Sequence, residues 1–111
     1  MPDSPPAARV VLTTAADAEE ANRLGRTLVE EGLVACATLI PSVRSIYRWR
    51  GAVEEATETL LLLKTAPDQL GALEVRLHAL HSYKTPEFLV LPVESGSPGY
   101  LEWLQNGLRR A

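Results

Sequence analysis

Both histidines of the chain lie in one short stretch, LHALHSYKTPEFLVLP at residues 77–92, together with a tyrosine, a lysine and a Pro-Glu pair. Neutral imidazole is a good ligand for late first-row metals, and copper(II) stands high in the affinity order for nitrogen and oxygen donors. His78 and His81 are spaced so that one helical turn presents both to a single ion. Two imidazoles still fall short of the three or four donors that a zinc or copper centre assembles. The single Cys36 is the other soft donor, and a metal site would need it close to His81, within one chain or across copies. Without that neighbour, Cys36 reads as a small buried hydrophobe among Val34, Ala35 and Ala37, with no charge nearby in sequence to stabilise a thiolate. His81 falls about 60° from the centre of an apolar helical stripe and so borders the buried face, whereas His78 falls farther round, on the surface.

The same stretch offers a second kind of site. Pro86 steers Thr85 into an extended conformation, so the chain must leave a helix here and enter a strand. Tyr83, Glu87 and Lys64, the last an isolated cation ending a leucine run, are candidates to converge on a small ligand at a subunit boundary, where such sites are common. Arg44, Arg48 and Arg50 share parity on one strand and face Glu54, Glu55 and Glu58 on the next, which suits cross-strand ion pairs or an acidic, cation-collecting surface. Trp49 and Trp103 read as interface or core residues.

The elements that must position these groups follow from the pattern. ARVVLTT is a short β-branched run. Asp17 with Glu20 is a capping box, Ala21, Leu24 and Leu28 form a helical stripe, and Gly32 is the stop. LVACATLI is a strand apolar on both faces, expected to be covered on both sides and interrupted at Pro41. SVRSIYRWR continues extended, Gly51 turns the chain, and AVEEATETLLLLKT returns as a long hairpin. Pro67 opens a helix carrying Leu70, Leu73, Leu77 and Leu80 on one face. EFLVLPVES supplies a last strand. Ser97-Pro98 opens a final helix, with Arg109 and Arg110 at its C-terminus. The order is β-α-β-β-α-β plus α, the ferredoxin-like α+β plan: an antiparallel sheet with a long β-hairpin, two main helices on one face and an extra C-terminal helix.

Composition narrows the function. At 111 residues the chain is one domain, residues 8–111, after a flexible tail at residues 1–7, and 46% hydrophobic residues suffice for a core. The net charge of -3 offers no basic surface for nucleic acid, and no apolar run reaches membrane-spanning length. The start MPDSPPAA lacks a basic region followed by an apolar one, and the lone cysteine suits a reducing compartment, so a cytoplasmic protein is expected.

Lengths point to assembly. Residues 34–50, if extended, reach roughly 55 Å, while a helix of about 15 residues covers roughly 22 Å. The hairpin outgrows its helices, and its overhang carries Ile46, Tyr47 and Trp49. A second copy of the chain is the simplest cover for that arm and for the open sheet face.

ACATLIPSVRSIYRWRGAVEEATETLLLLKT and LHSYKTPEFLVLPVESGSPGYLEWL together resemble the CutA divalent-cation tolerance family, from about Arg9 to Leu104. The Cys-Ala-Thr-Leu-Ile-Pro, Tyr-x-Trp-x-Gly and Thr-Pro-Glu elements carry the resemblance. It implies a ferredoxin-like subunit in a tight homotrimer whose hairpin reaches a neighbour at Ile46, Tyr47 and Trp49. It also implies divalent-cation binding, copper first, and no defined catalytic activity. In copper-associated bacterial members the proposed ligands are a Cys ending the first strand and two adjacent His ending the second long helix. Here Thr13 holds the first position and Leu80-His81 the others, so His81 is the ligand carried over, and His-Pro-Tyr becomes His81-Ser82-Tyr83. The rival from another class is a trimeric small-molecule sensor resembling the PII signalling proteins, with a ligand in subunit clefts. The tight Arg50-Gly51-Ala52 turn lacks the flexible basic loop that such a nucleotide site uses.

Overall fold

The computed structural model describes residues 7–110, so all but the last residue of the expected N-terminal tail falls outside it. Strands β1 (Arg9–Ala15), β2 (Cys36–Trp49), β3 (Ala52–Thr65) and β4 (Leu89–Pro92) form one antiparallel sheet in the order β2-β3-β1-β4. Helices α1 (Ala18–Glu30) and α2 (Leu70–Leu80) are the two crossovers, and α3 (Pro98–Asn106) is the extra helix. A short 3-10 turn, Pro67–Gln69, leads into α2. Among the described residues no helix is long and apolar enough to cross a membrane.

Alternation along the strands decides where the core sits. Val11, Thr13 and Ala15 of β1 and Leu61, Leu63 and Thr65 of β3 point to the helix side and are fully buried. Ala21, Leu24 and Leu28 of α1 and Leu73 and Leu77 of α2 close over them. Asp17 caps α1 as expected, its Oδ1 accepting the Glu20 N–H at 2.8 Å. Gly32 follows the end of α1 at φ +74, where Arg109 lies so near that a Cβ on Gly32 would come within 2.5 Å of it.

The other sheet face is partly covered. Leu101, Leu104 and Leu108 pack around Ala8, Ala66, Ala35 and Val93 at one end. The rest, with Val10, Leu12, Leu60 and Leu62 in the middle and the exposed Ile40, Leu89 and Leu91 at the edges, stays open. The two-sided cover expected for the Leu33–Ile40 segment is therefore absent within one chain, where only α1 lies over β2. Pro41 does not break β2: a bulge between Ile40 and Val43 absorbs Pro41 and Ser42, the latter at φ 60.

β1 pairs with β3 only as far as Thr59, so Ala52–Glu58 bond to β2 alone. That overhang of roughly 23 Å makes the molecule 52 Å long against 25 and 22 Å across. Arg50 and Gly51 both have positive φ, the pattern of the tight two-residue hairpin turn.

Two expectations near the C-terminus are corrected. β4 spans only Leu89–Pro92, paired with Arg9–Leu12 of β1, and one further bond, from the Val93 N–H to Ala8 O at 3.3 Å, continues past Pro92. Arg109 and Arg110 lie beyond α3 as a strap. The Arg109 N–H donates to Gly32 O at 2.9 Å, the Gln69 Nε2 donates to Arg109 O at 2.9 Å, and Arg110 pairs with Asp68 at 2.7 Å.

Candidate functional site

α2 stops at Leu80, and His81 turns extended at φ -78, ψ 144 while its N–H still donates to Leu77 O. Its side chain is completely buried. Nε2 lies 2.7 Å from Thr14 O, and because a carbonyl only accepts, Nε2 carries the proton. Nδ1 in turn accepts the Tyr83 N–H at 3.0 Å. Both ring nitrogens of a neutral imidazole are thus in use, joining the end of α2 to β1 and to its own following loop.

Glu20 stands beside this joint, nearly buried. Its carboxylate accepts the Ser82 N–H at 2.8 Å, the Ser82 hydroxyl at 2.9 Å and the Ala16 N–H at 3.4 Å, and lies 3.8 Å from His81 Nδ1. Burial alone would raise its pKa, but the bonds from Ser82 and Ala16 outweigh burial and hold it below the usual carboxylate range.

Tyr83 completes the corner. Its ring lies 4.7 Å from that of His81, and its hydroxyl donates to Glu58 Oε2 at 2.7 Å. Burial, and then the neighbouring Glu58 carboxylate, push the phenol above its ordinary value. Glu58, expected in the surface ion pairs of the hairpin, is instead a buried acceptor just past the end of β1. Of those expected pairs the structure makes one, Arg44 with Glu55 at 3.8 Å, exposed on both sides. Neither Glu20 nor Glu58 stands out in sequence as part of this corner. The available signals were the capping-box position of Glu20 and the placing of Glu58 where the β1 ladder runs out.

The other candidates do not meet here. Cys36 opens β2 instead of lying in its middle, and its strand partner is Lys64, whose Nζ donates to Thr38 Oγ1 at 2.8 Å and lies 3.8 Å from Cys36 Sγ. His81 bonds to the Thr14 carbonyl opposite Leu60, four residues away along β3, or roughly 13 Å. Cys36 and His81 therefore form no common site in one chain. Tyr83 reaches Glu58, six residues from Lys64 and roughly 20 Å along the same strand, so Lys64, Tyr83 and Glu87 form no pocket within a subunit either. Glu87 and His78 are exposed. Ile46, Tyr47 and Trp49 are exposed on the overhang, with Ile46 at 65% and Trp49 at 58%.

A preformed metal centre does not fit these residues. Among the described residues no three or more His, Cys, Asp or Glu side chains gather as a metal would need. His81 has no free nitrogen, and the Thr13 hydroxyl is buried without a partner on the helix side of β1. The expectation of His81 as a ligand meets the physical obstacle that its one lone pair already accepts a backbone N–H.

The fold and corner define a class: a ferredoxin-like α+β domain with a projecting hairpin, an open apolar sheet face and a polar joint behind its second helix. The sequence profile of the family described as "CutA1 divalent ion tolerance protein" matches residues 9–107. A "Divalent-cation tolerance protein CutA" of Thermus thermophilus is 45% identical over 97 residues, covering 87% of this chain and 94% of that one. "Protein CutA, chloroplastic" of Arabidopsis thaliana is 39% identical over 100 residues, covering 90% of this chain and 55% of that one. Among solved structures, CutA1 from Oryza sativa superposes with a TM-score of 0.93 at 36% identity, covering 96% of this chain and 98% of that one. The chain belongs to the CutA1 divalent ion tolerance family.

Proposed function

We propose that this chain works as a cytoplasmic homotrimer in divalent-cation tolerance, copper(II) included, and that it catalyses no reaction. The cations it meets are taken weakly by exposed side chains. The observation that carries the assembly is the open sheet face: half-buried Leu12, Leu60 and Leu62 and exposed Leu89 and Leu91 lie beside an arm that ends in exposed Ile46 and Trp49. Apolar area of that kind on a soluble chain marks an interaction surface. An arm that reaches from each copy to the next makes a head-to-tail contact, and such contacts form a closed ring when the rotation between copies closes. Three copies form the smallest such ring beyond a pair. The family name supports the cation role, and the engaged nitrogens of His81 support weak binding over a dedicated centre.

Sedimentation equilibrium at low micromolar concentration is expected to give three chains, and a clean monomer would refute the assembly. In a host lacking its own relative, the chain is expected to restore growth under copper(II) challenge. No gain in tolerance to copper or any other divalent cation would refute the role. One observation favours a second reading, a sensor of small anions at subunit clefts: a lysine stands on the apolar face that assembly would cover.

A further inference from the structure

Lys64 is the only ammonium on the open face among the described residues of the sheet. Its strand partners there are Val10 of β1 and Cys36 of β2, with Leu91 beyond Val10 and Leu62 one pleat along. One pleat the other way is Ala66, already packed with Leu101 and Leu104 of α3. The lysine thus sits in the angle between the helix and the uncovered leucines. Its Nζ donates to Thr38 Oγ1 at 2.8 Å and lies 3.8 Å from Cys36 Sγ, both neutral and the second a weak acceptor. No carboxylate among the described residues pairs with it.

In a lone subunit, water satisfies the remaining N–H groups. Once the face is covered by another copy, an ammonium without counter-charge is strongly unfavourable, and such charges are found paired. Thr38 accepts from Lys64 through its oxygen, and its own O–H can turn either to Cys36 Sγ, 3.7 Å away and a weak acceptor, or to a stronger acceptor brought to the face. An ammonium and a hydroxyl 2.8 Å apart thus stand side by side on the open face of the sheet, both able to donate to a stronger acceptor than Cys36 Sγ. That is the chemistry that holds an oxyanion.

We propose that Lys64 and Thr38 form an oxyanion site that assembly completes, and this rests on the homotrimer reading above. The oxygen comes from a carboxylate of a neighbouring copy or from a free anion of the carboxylate or phosphate kind in the cleft between copies. Cys36 lies at the rim of that site, which gives the only thiol of the chain a polar neighbour that its sequence context does not reveal.

The test is a titration of inorganic phosphate into the assembled protein at fixed ionic strength, followed by calorimetry, with sedimentation of the same samples. If a free anion fills the site, wild type binds phosphate saturably, and Lys64→Met and Thr38→Val stay assembled but bind roughly tenfold more weakly or not at all. If a neighbour's carboxylate fills it, phosphate does not bind, and Lys64→Met weakens assembly by roughly tenfold or more because a carboxylate is left buried and unpaired. Phosphate binding that is equal in wild type and Lys64→Met overturns the proposal. So does an assembly that takes no phosphate and is indifferent to Lys64→Met, while leaving the homotrimer reading intact. A wild type that sediments as a monomer overturns the homotrimer reading itself, and this proposal with it.

Discussion

The hydroxyl of Tyr83 donates a 2.7 Å hydrogen bond to the buried carboxylate of Glu58, tying the loop after α2 to the root of the β2–β3 hairpin. β1 ends opposite Thr59, so Glu58 is the first residue of β3 with no β1 neighbour, and Tyr83 takes the space that the ladder vacates. The arm is thereby anchored by one side chain where its backbone support stops.

Tyr83→Phe removes the donor and leaves the Glu58 carboxylate buried without it. A loss of about 1–3 kcal/mol in unfolding free energy is expected, read by urea denaturation at neutral pH. The pH dependence carries a sign. The folded state holds the phenolic proton more tightly than the unfolded chain, so this contribution is fully present below the unfolded phenol value near 10 and is lost as pH rises through the higher folded value. Between about pH 9 and 11 wild type should therefore lose stability faster than Tyr83→Phe. Parallel curves would show that Tyr83 is not protected in this way.

Glu20 acts at the opposite end of the pH scale. Its carboxyl is held below the usual range, so its contribution is present above the unfolded value near 4.3 and disappears as pH falls through the lower folded value. Glu20→Gln keeps the size but weakens the bonds to Ser82. It should cost about 1–3 kcal/mol at neutral pH and flatten the acid limb of the thermal midpoint measured from pH 5 downward. An acid limb identical to wild type would contradict the assignment.

His81→Ala should behave as a broken joint. It leaves Thr14 O and the Tyr83 N–H without their partner in a buried place, an expected cost of about 1–3 kcal/mol or more once the cavity is added. Copper(II) calorimetry should give the same weak signal in wild type and variant, because the lone pair of His81 is already used. Tight copper binding that vanishes in His81→Ala would restore the metal-ligand role.

Ile46→Asp and Trp49→Asp place charge on the exposed arm and should dissociate the assembly, seen as monomer by sedimentation with circular dichroism unchanged. Glu55→Ala, which removes only an exposed ion pair at 3.8 Å, should leave assembly as it is. Equal effects from all three would exclude the arm as the contact.

Much of this protein was legible in its sequence, for local reasons. The order of elements follows from apolar periodicity, as with Leu73 and Leu77 on α2. The cap at Asp17 and the stop at Gly32 follow from backbone chemistry confined to a few residues. The overhanging hairpin follows from chain length against helix length. The family resemblance runs through motifs that are contiguous in the chain.

What the tertiary structure decided depends on residues that are distant in sequence. His81 looks like a ligand in one dimension, since nothing near it shows that Thr14 O will take its proton and Tyr83 N–H its lone pair. Glu58 has the pattern of a surface charge, and only the length of β1 relative to β3 buries it beneath Tyr83. Lys64 looks like the polar end of a leucine run. Strand register alone sets it beside Cys36 and Thr38, on a face whose neighbours make its charge conspicuous. Periodicity fixes which face a side chain takes, but the partners across the sheet and behind the helices are set by register and crossover, and those are properties of the whole fold.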